Sequence, residues 1–168
     1  MSRKKVTIAE LQEKKQKKQK ITMLTAYDYP TASMLDQVEI DTILVGDSLG
    51  NVVLGYDSTV PVTMDEMIHH CKAVSRAVSS AFIIGDMPFL SYQVSNEKAV
   101  ENAGRFIKEA GCDAVKLEGG SDMAPTVKAI VKGGIPVCAH IGLTPQTATM
   151  LSGYRVQGKD AKSARRLI

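Results

Sequence analysis

Three carboxylates and a lysine fall where short apolar segments end. Thr42–Val45 runs into Gly46-Asp47-Ser48, Ala81–Gly85 runs into Asp86, and Ala114–Leu117 carries Lys116 and ends at Glu118. If these segments are neighbouring parallel strands, spaced about 4.8 Å apart, Asp47, Asp86 and Glu118 converge at the carboxyl end of a sheet. That is the end at which α/β barrels and open α/β sheets bind ligands. Like charges that close need a cation or a shared proton. Oxygen-only ligands suit a hard ion, and Mg²⁺ commonly takes its remaining oxygens from water or from a substrate. The plainer alternative is that each acid caps a following helix or solvates a loop; it accounts for any one of them more readily than for three in register.

Lys116 lies two residues before Glu118, so in an extended chain both side chains point to the same side. Three roles are open to it: a satisfied ion pair with Glu118, a Schiff-base nucleophile with a lowered pKa, or a cationic clamp for a substrate carboxylate. The neighbouring acids favour the ammonium form and therefore the clamp. His140 ends a fifth apolar segment on the same side and can donate to a substrate oxygen, act as an acid or base, or fill a structural place. His69 and His70 sit mid-helix without an HExxH pattern and are discounted as ligands. Gly46-Asp47-Ser48-Leu49-Gly50 is not the G-x-S-x-G nucleophile elbow, and neither a Walker A nor a G-x-G-x-x-G sequence occurs.

The elements that must position these groups alternate. Apolar runs rich in β-branched residues predict strands at Ile21–Ala26, Thr42–Val45, Ala81–Gly85, Ala114–Leu117 and Pro136–Ala139. Each is apolar at successive positions, which predicts a parallel sheet covered on both faces. Between them, Thr63 and Glu66 form a capping box for a helix reaching about Val78. Ser95 or Asn96 opens a second helix that stops at Gly111, and a third runs from about Met123 to the Gly133–Gly134 pair. Gly50 to Thr63 reads as an ordered loop, and Asp160 to Ile168 as the start of a further helix.

Composition agrees with one folded α/β unit. The 168 residues are 44% apolar with 13 glycines and 6 prolines, which excludes disordered and collagen-like classes. The absence of Trp and 5% aromatic content argue against a stacking platform for nucleic acid. Net charge is +3, yet residues 1–20 hold eight Lys or Arg against two acids, leaving thirteen bases and sixteen acids in residues 21–168. This basic arm has an apolar stripe of Val6, Ile8, Ala9 and Leu11, which predicts a helix packed on one end of the domain in preference to a phosphate- or lipid-binding segment. No apolar h-region or membrane-length run is present. Cys71, Cys112 and Cys138 are odd in number and widely spaced, so a reducing, cytoplasmic setting is expected, with no disulfide framework and no thiolate zinc site.

The sequence resembles the ketopantoate hydroxymethyltransferase family. The resemblance is carried by Thr25-Ala26-Tyr27-Asp28, Val45-Gly46-Asp47-Ser48-Leu49-Gly50, Asp57-Ser58-Thr59 with Pro61-Val62-Thr63, and Asp86-Met87-Pro88-Phe89. It continues through Val115-Lys116-Leu117-Glu118-Gly119-Gly120, His140-Ile141-Gly142-Leu143-Thr144-Pro145-Gln146 and Gly153-Tyr154-Arg155-Val156-Gln157-Gly158. It implies a (β/α)8 TIM barrel of the phosphoenolpyruvate/pyruvate superfamily, with residues 21–168 supplying about the first five βα units. It implies Mg²⁺-dependent transfer of a hydroxymethyl group from 5,10-methylenetetrahydrofolate to 3-methyl-2-oxobutanoate, in pantothenate synthesis, by a homo-oligomer that is decameric in bacteria. The implied metal ligands are Asp47, Asp86 and Glu118, the last directly or through water. Asp47, Ser48, Asp86 and Lys116 would bind the oxo acid, with His140 beside them. A (β/α)8 barrel usually takes about 250 residues, and the family's general-base glutamate would lie beyond residue 168. Two alternatives stay open: a catalytically inactive portion that retains metal and oxo-acid binding, and a related 2-oxo-acid lyase or mutase.

Overall fold

A computed structural model describes residues 3–151 and 153–168. The chain runs α1 (Ile8–Gln16), β1 (Met23–Thr25), α2 (Tyr29–Gln37), β2 (Thr42–Val45), α3 (Leu49–Val52), α4 (Met64–Ala77) and β3 (Phe82–Asp86). It continues through α5 (Asn96–Lys108), β4 (Ala114–Glu118), α6 (Ala124–Lys132), β5 (Val137–His140) and α7 (Ala161–Leu167), with short 3₁₀ turns at Ser121–Met123 and Pro145–Thr147. The five strands form one parallel sheet in the order β1-β2-β3-β4-β5. Sequential order means that every crossover advances the same way. Right-handed crossovers then stack the helices on one face and leave the other as an interior.

The strands sort their residues by this two-sided pattern. Ile43, Val45, Ile83, Val115 and Leu117 face the helix layer and pack with Met67, Cys71, Val74, Ala103, Phe106 and Ile130, all nearly inaccessible. Phe82, Ile84 and Ala114 face the other way and form a second cluster with Leu44, Cys138, Val6 and Leu11. Alternation with period two therefore operates inside segments that read as uniformly apolar. The inner face turns polar toward the carboxyl end, at Asp86, Lys116, Glu118 and His140.

Caps fix the helix starts. Thr63 and Glu66 close the expected capping box, and Thr7 with Glu10 and Asp160 with Ser163 form two more. Ser95 caps α5, and Gly111 follows it in the left-handed region at φ 71°, as expected. Two helices were not anticipated. Helix α2 starts on Asp28 as N-cap with Pro30 in its first turn, a start signal ahead of a weakly patterned face. Helix α3 puts a single turn into the segment read as a loop.

The first strand is shorter than the expected Ile21–Ala26, and Met23 and Leu24 are exposed. It pairs with β2 on one side only, so neither the helices nor the interior cluster covers it. Strand β5 is likewise an outer strand and half-buried.

The basic arm packs against the amino ends of the strands. Val6 is buried, its amide donates to the Ser80 carbonyl at 2.7 Å, and Lys5 Nζ pairs with Asp113 at 2.7 Å. Arg3 and Lys14 both reach Asp41, at 2.9 and 2.6 Å. Of the predicted stripe, only Val6 and Leu11 pack inward; Ile8 and Ala9 face solvent. The single helical turn between residues 7 and 11 brings only this pair over the strand ends. Cys71, Cys112 and Cys138 are free thiols.

Gly85 is a notch in this architecture. A Cβ added there would lie 2.3 Å from the Phe106 ring, so the ring of α5 seats directly on the strand. Asp36 anchors α2 to the entry of β3 in a different way. Its carboxylate accepts from the Ser79 and Ala81 amides at 2.8 Å each and from the Ser79 and Ser80 hydroxyls at 2.8 and 2.7 Å. Burial alone would raise its pKa, but these donors overcome it and hold the group well below the usual aspartate range. Asp36→Ala is therefore expected to lower unfolding free energy by about 2 kcal/mol, read from urea denaturation. A lowered folded pKa contributes stability that is present above the unfolded aspartate pKa and lost as pH falls below it. The gap between wild type and variant should accordingly narrow in acid.

Candidate functional site

All five expected side chains of the strand ends lie at one end of the sheet. Asp86, Glu118 and His140 are the final residues of β3, β4 and β5, and Asp47 follows β2 by two residues. Register sets the neighbours: Asp86 lies opposite Lys116, and Glu118 opposite His140. The strand spacing does the rest. Lys116 Nζ bridges Asp86 Oδ2 at 2.8 Å and Glu118 Oε1 at 3.2 Å, and the Asp47 amide donates to Asp86 Oδ2 at 3.2 Å. His140 Nδ1 lies 3.4 Å from Glu118 Oε1. Ser48 stands beside them, its hydroxyl 2.8 Å from that of Tyr27.

The carboxylates are buried, at 2 to 5% exposure. Their charge states diverge according to their donors. Desolvation pushes Asp86 up to about 8, with the Asp47 charge adding to it, against the pull of Lys116. Desolvation also raises Asp47, against a Gln146 hydrogen bond and Lys116. Glu118 goes the other way: burial would raise it, but His140, Lys116 and the Gln146 amide hold it below its ordinary value. Lys116 is held above its ordinary value, because Asp86, Glu118 and Asp47 outweigh its desolvation. A lysine kept charged in this way is a poor imine former and a good partner for an anion.

Among the described residues, no three His, Cys, Asp or Glu side chains are arranged ready to hold a metal ion. Lys116 occupies the space between Asp86 and Glu118, and both Glu118 oxygens are engaged, Oε2 by the Gln146 amide at 3.1 Å. Asp86 differs. Its Oδ1 is buried and has no hydrogen-bond partner, an expensive condition for a carboxylate oxygen. An unpartnered carboxyl oxygen in an oxygen-rich site next to a second carboxyl of raised pKa fits a hard cation, whose charge would favour ionisation of both. The fit therefore favours Asp86 and Asp47 as direct ligands, with Glu118 outside them.

Two residues of the site went unforeseen. Gln146, 4% exposed, donates from Nε2 to Asp47 Oδ2 at 2.8 Å and to the Met87 carbonyl at 2.9 Å. Tyr92, 1% exposed, hydrogen-bonds Gln146 Oε1 at 2.6 Å and accepts from the Glu118 amide at 3.1 Å. Gln146 lies in a short 3₁₀ turn and Tyr92 in an irregular segment, neither with a periodicity to read, and the only signal was that Gln146 closes one of the matching motifs. His70 Nδ1 hydrogen-bonds the Tyr27 carbonyl at 2.7 Å, while His69 is exposed, so neither histidine faces the carboxylates.

A family model described as ketopantoate hydroxymethyltransferase matches residues 5–168. A 3-methyl-2-oxobutanoate hydroxymethyltransferase of Syntrophomonas wolfei subsp. wolfei is 62% identical over 163 residues, covering 97% of this chain and 59% of that protein. The chain thus spans about three fifths of the length of the curated relatives it matches. Among solved structures, phosphonopyruvate hydrolase aligns with TM-score 0.64 at 13% identity, covering 87% of this chain and 52% of that one. A 2,3-dimethylmalate lyase, a member of the PEP mutase/isocitrate lyase superfamily, aligns with TM-score 0.59 at 14% identity, covering 78% of this chain and 51% of that one. At such identities the likeness speaks for the fold alone. The five parallel strands in sequential order have the arrangement of consecutive βα units of a (β/α)8 barrel. On the match over residues 5–168 and the identity to its curated relatives, the chain belongs to the ketopantoate hydroxymethyltransferase family.

Proposed function

We propose that this chain carries the Mg²⁺- and oxo-acid-binding part of an enzyme that transfers a hydroxymethyl group from 5,10-methylenetetrahydrofolate to 3-methyl-2-oxobutanoate, giving 2-dehydropantoate for pantothenate synthesis. The observation that carries the reading is the orphaned, buried Asp86 Oδ1 beside Asp47 and the charged Lys116. Family membership supplies the reaction class.

In this reading Asp47 and Asp86 would hold the cation, with Glu118 outside them. A cation held there would supply Lewis-acid polarisation of the substrate's 2-oxo group, which would make the proton at C3 removable. Lys116 pairs with the substrate carboxylate, and Ser48 donates to the same group. His140, whose side chain is one-third exposed at the rim, donates to the oxygen of the oxo group. No residue of this chain is assigned as the base. The same reading makes the protein a cytoplasmic homo-oligomer that acts on two small molecules and contacts neither nucleic acid nor membrane. Among the described residues no helix is long and apolar enough to cross a membrane.

Calorimetry of 3-methyl-2-oxobutanoate binding with and without Mg²⁺ tests it. Binding is expected only with Mg²⁺. Because Asp86 titrates at about 8 and must lose its proton to take a cation, Mg²⁺ affinity should rise about tenfold per pH unit up to about 8 and level above it. Equal binding without the metal, or affinity that falls as pH rises, overturns the proposal.

A further inference from the structure

We infer that Gln146 is the positioning residue of this site: it sets the orientation of the Asp47 carboxylate and, through its own backbone amide, of Glu118. The inference rests on the cation reading above and adds to it a residue outside the ligand set.

The geometry leaves the amide one orientation. Asp47 Oδ2 and the Met87 carbonyl are both acceptors, so Nε2 must face them, and both of its N–H groups are used, at 2.8 and 2.9 Å. Oε1 then faces Tyr92. The Tyr92 oxygen accepts from the Glu118 amide at 3.1 Å, and of the two acceptors within reach of its proton, Gln146 Oε1 at 2.6 Å is nearer than the Glu118 carbonyl at 3.2 Å. The result is a directed chain from the Glu118 amide through the Tyr92 hydroxyl and the Gln146 side chain to Asp47. The Gln146 backbone N–H closes a loop by donating to Glu118 Oε2 at 3.1 Å. One residue thus grips carboxylates from two different strand ends, across 99 positions in one case and 28 in the other. Pro145 begins the 3₁₀ turn that presents both its amide and its side chain inward.

A buried amide with every donor spent on acceptors is rigid, and a rigid outer partner fixes the direction of the lone pairs a ligand offers. Loss of such a partner typically weakens metal binding 10- to 100-fold. The alternative is that Gln146 merely fills space, in which case an isosteric apolar side chain would serve as well.

The test uses Mn²⁺ as probe, with free ion counted by electron paramagnetic resonance. Gln146→Met keeps the volume and removes the donors; it is expected to weaken Mn²⁺ binding at least about 10-fold while leaving the thermal midpoint of the metal-free chain within a few degrees. Gln146→Glu is the second arm. If only local charge mattered, a fourth carboxylate would tighten binding; loss of the donor to Asp47 should weaken it. In an Asp47→Asn background, Gln146→Met should have no further effect, because its action passes through Asp47. Unchanged affinity in Gln146→Met, tighter binding in Gln146→Glu, or additive losses in the double variant would each overturn the inference and leave the cation reading standing. Wild-type protein that binds Mn²⁺ no better than Asp86→Asn would overturn both.

Discussion

Asp86→Asn is expected to abolish Mg²⁺-dependent binding of 3-methyl-2-oxobutanoate, with at least about a 100-fold loss of Mg²⁺ affinity, while the fold survives. The asparagine is nearly isosteric, and its side chain can still accept from Lys116 and from the Asp47 amide through one oxygen. What disappears is the charge on a group that is fully desolvated and partly unsatisfied in the metal-free chain. The sign of the stability effect follows. An acid whose folded pKa is raised binds its proton more tightly in the folded chain than in the unfolded one. Metal-free wild type should therefore lose stability as pH rises from the ordinary carboxylate range through about 8, and Asp86→Asn should lose less over the same interval. Calorimetry and thermal melts at pH 6 and 9 read both effects. His69→Ala, an exposed change on α4, should alter neither, and equal losses in the two variants would mean that the constellation is wrong.

Lys116→Met should have the second-largest effect, and a divided one. Removal of the ammonium group leaves Asp47, Asp86 and Glu118 facing one another without their shared counter-charge. Breaking a buried pair by deleting one partner typically costs about 3–5 kcal/mol, and the loss should be largest at alkaline pH and shrink as the acids take up protons. Mg²⁺ should bind more tightly to the variant, because a competing cation has gone. The oxo acid should bind more weakly, because its carboxylate has lost its partner. A Schiff-base role predicts something different: borohydride would trap the oxo acid on Lys116 in the wild type. No trapped adduct is expected, and a fall in both affinities together would count against the clamp.

The parts of this molecule that sequence made legible are those governed by local pattern. The strand expected at Thr42–Val45 has the same bounds, and the next three shift by one residue at most at either end, to Phe82–Asp86, Ala114–Glu118 and Val137–His140. Those shifts put Asp86, Glu118 and His140 inside the strands as final residues, where register alone fixes their separation. The convergence of the acids was readable for this reason: a parallel sheet in sequential order leaves adjacent strand ends nowhere else to be. Strand β1 was over-read because its apolar residues suggested burial that a one-sided pairing does not supply. Gln146 and Tyr92 were out of reach for a different reason. Their placement depends on loops folding back across the strand ends, and no spacing rule links residue 146 to residue 47. The spacing left the Lys116–Glu118 pair open as one reading, but did not reveal that Lys116 also reaches Asp86 and so stands between two carboxylates.

The seat of the Phe106 ring on Gly85 has a bearing on how variation in this protein would be read. Position 85 does no chemistry and a side chain there would point into the helix layer, yet it directly precedes Asp86, and any such side chain must push the strand off the ring or the ring off the strand. Either movement displaces the acid that follows. A survey of inactivating substitutions would therefore score this glycine alongside the acids themselves, although its sensitivity originates in the outer layer of helices, on the far side of the sheet from any ligand.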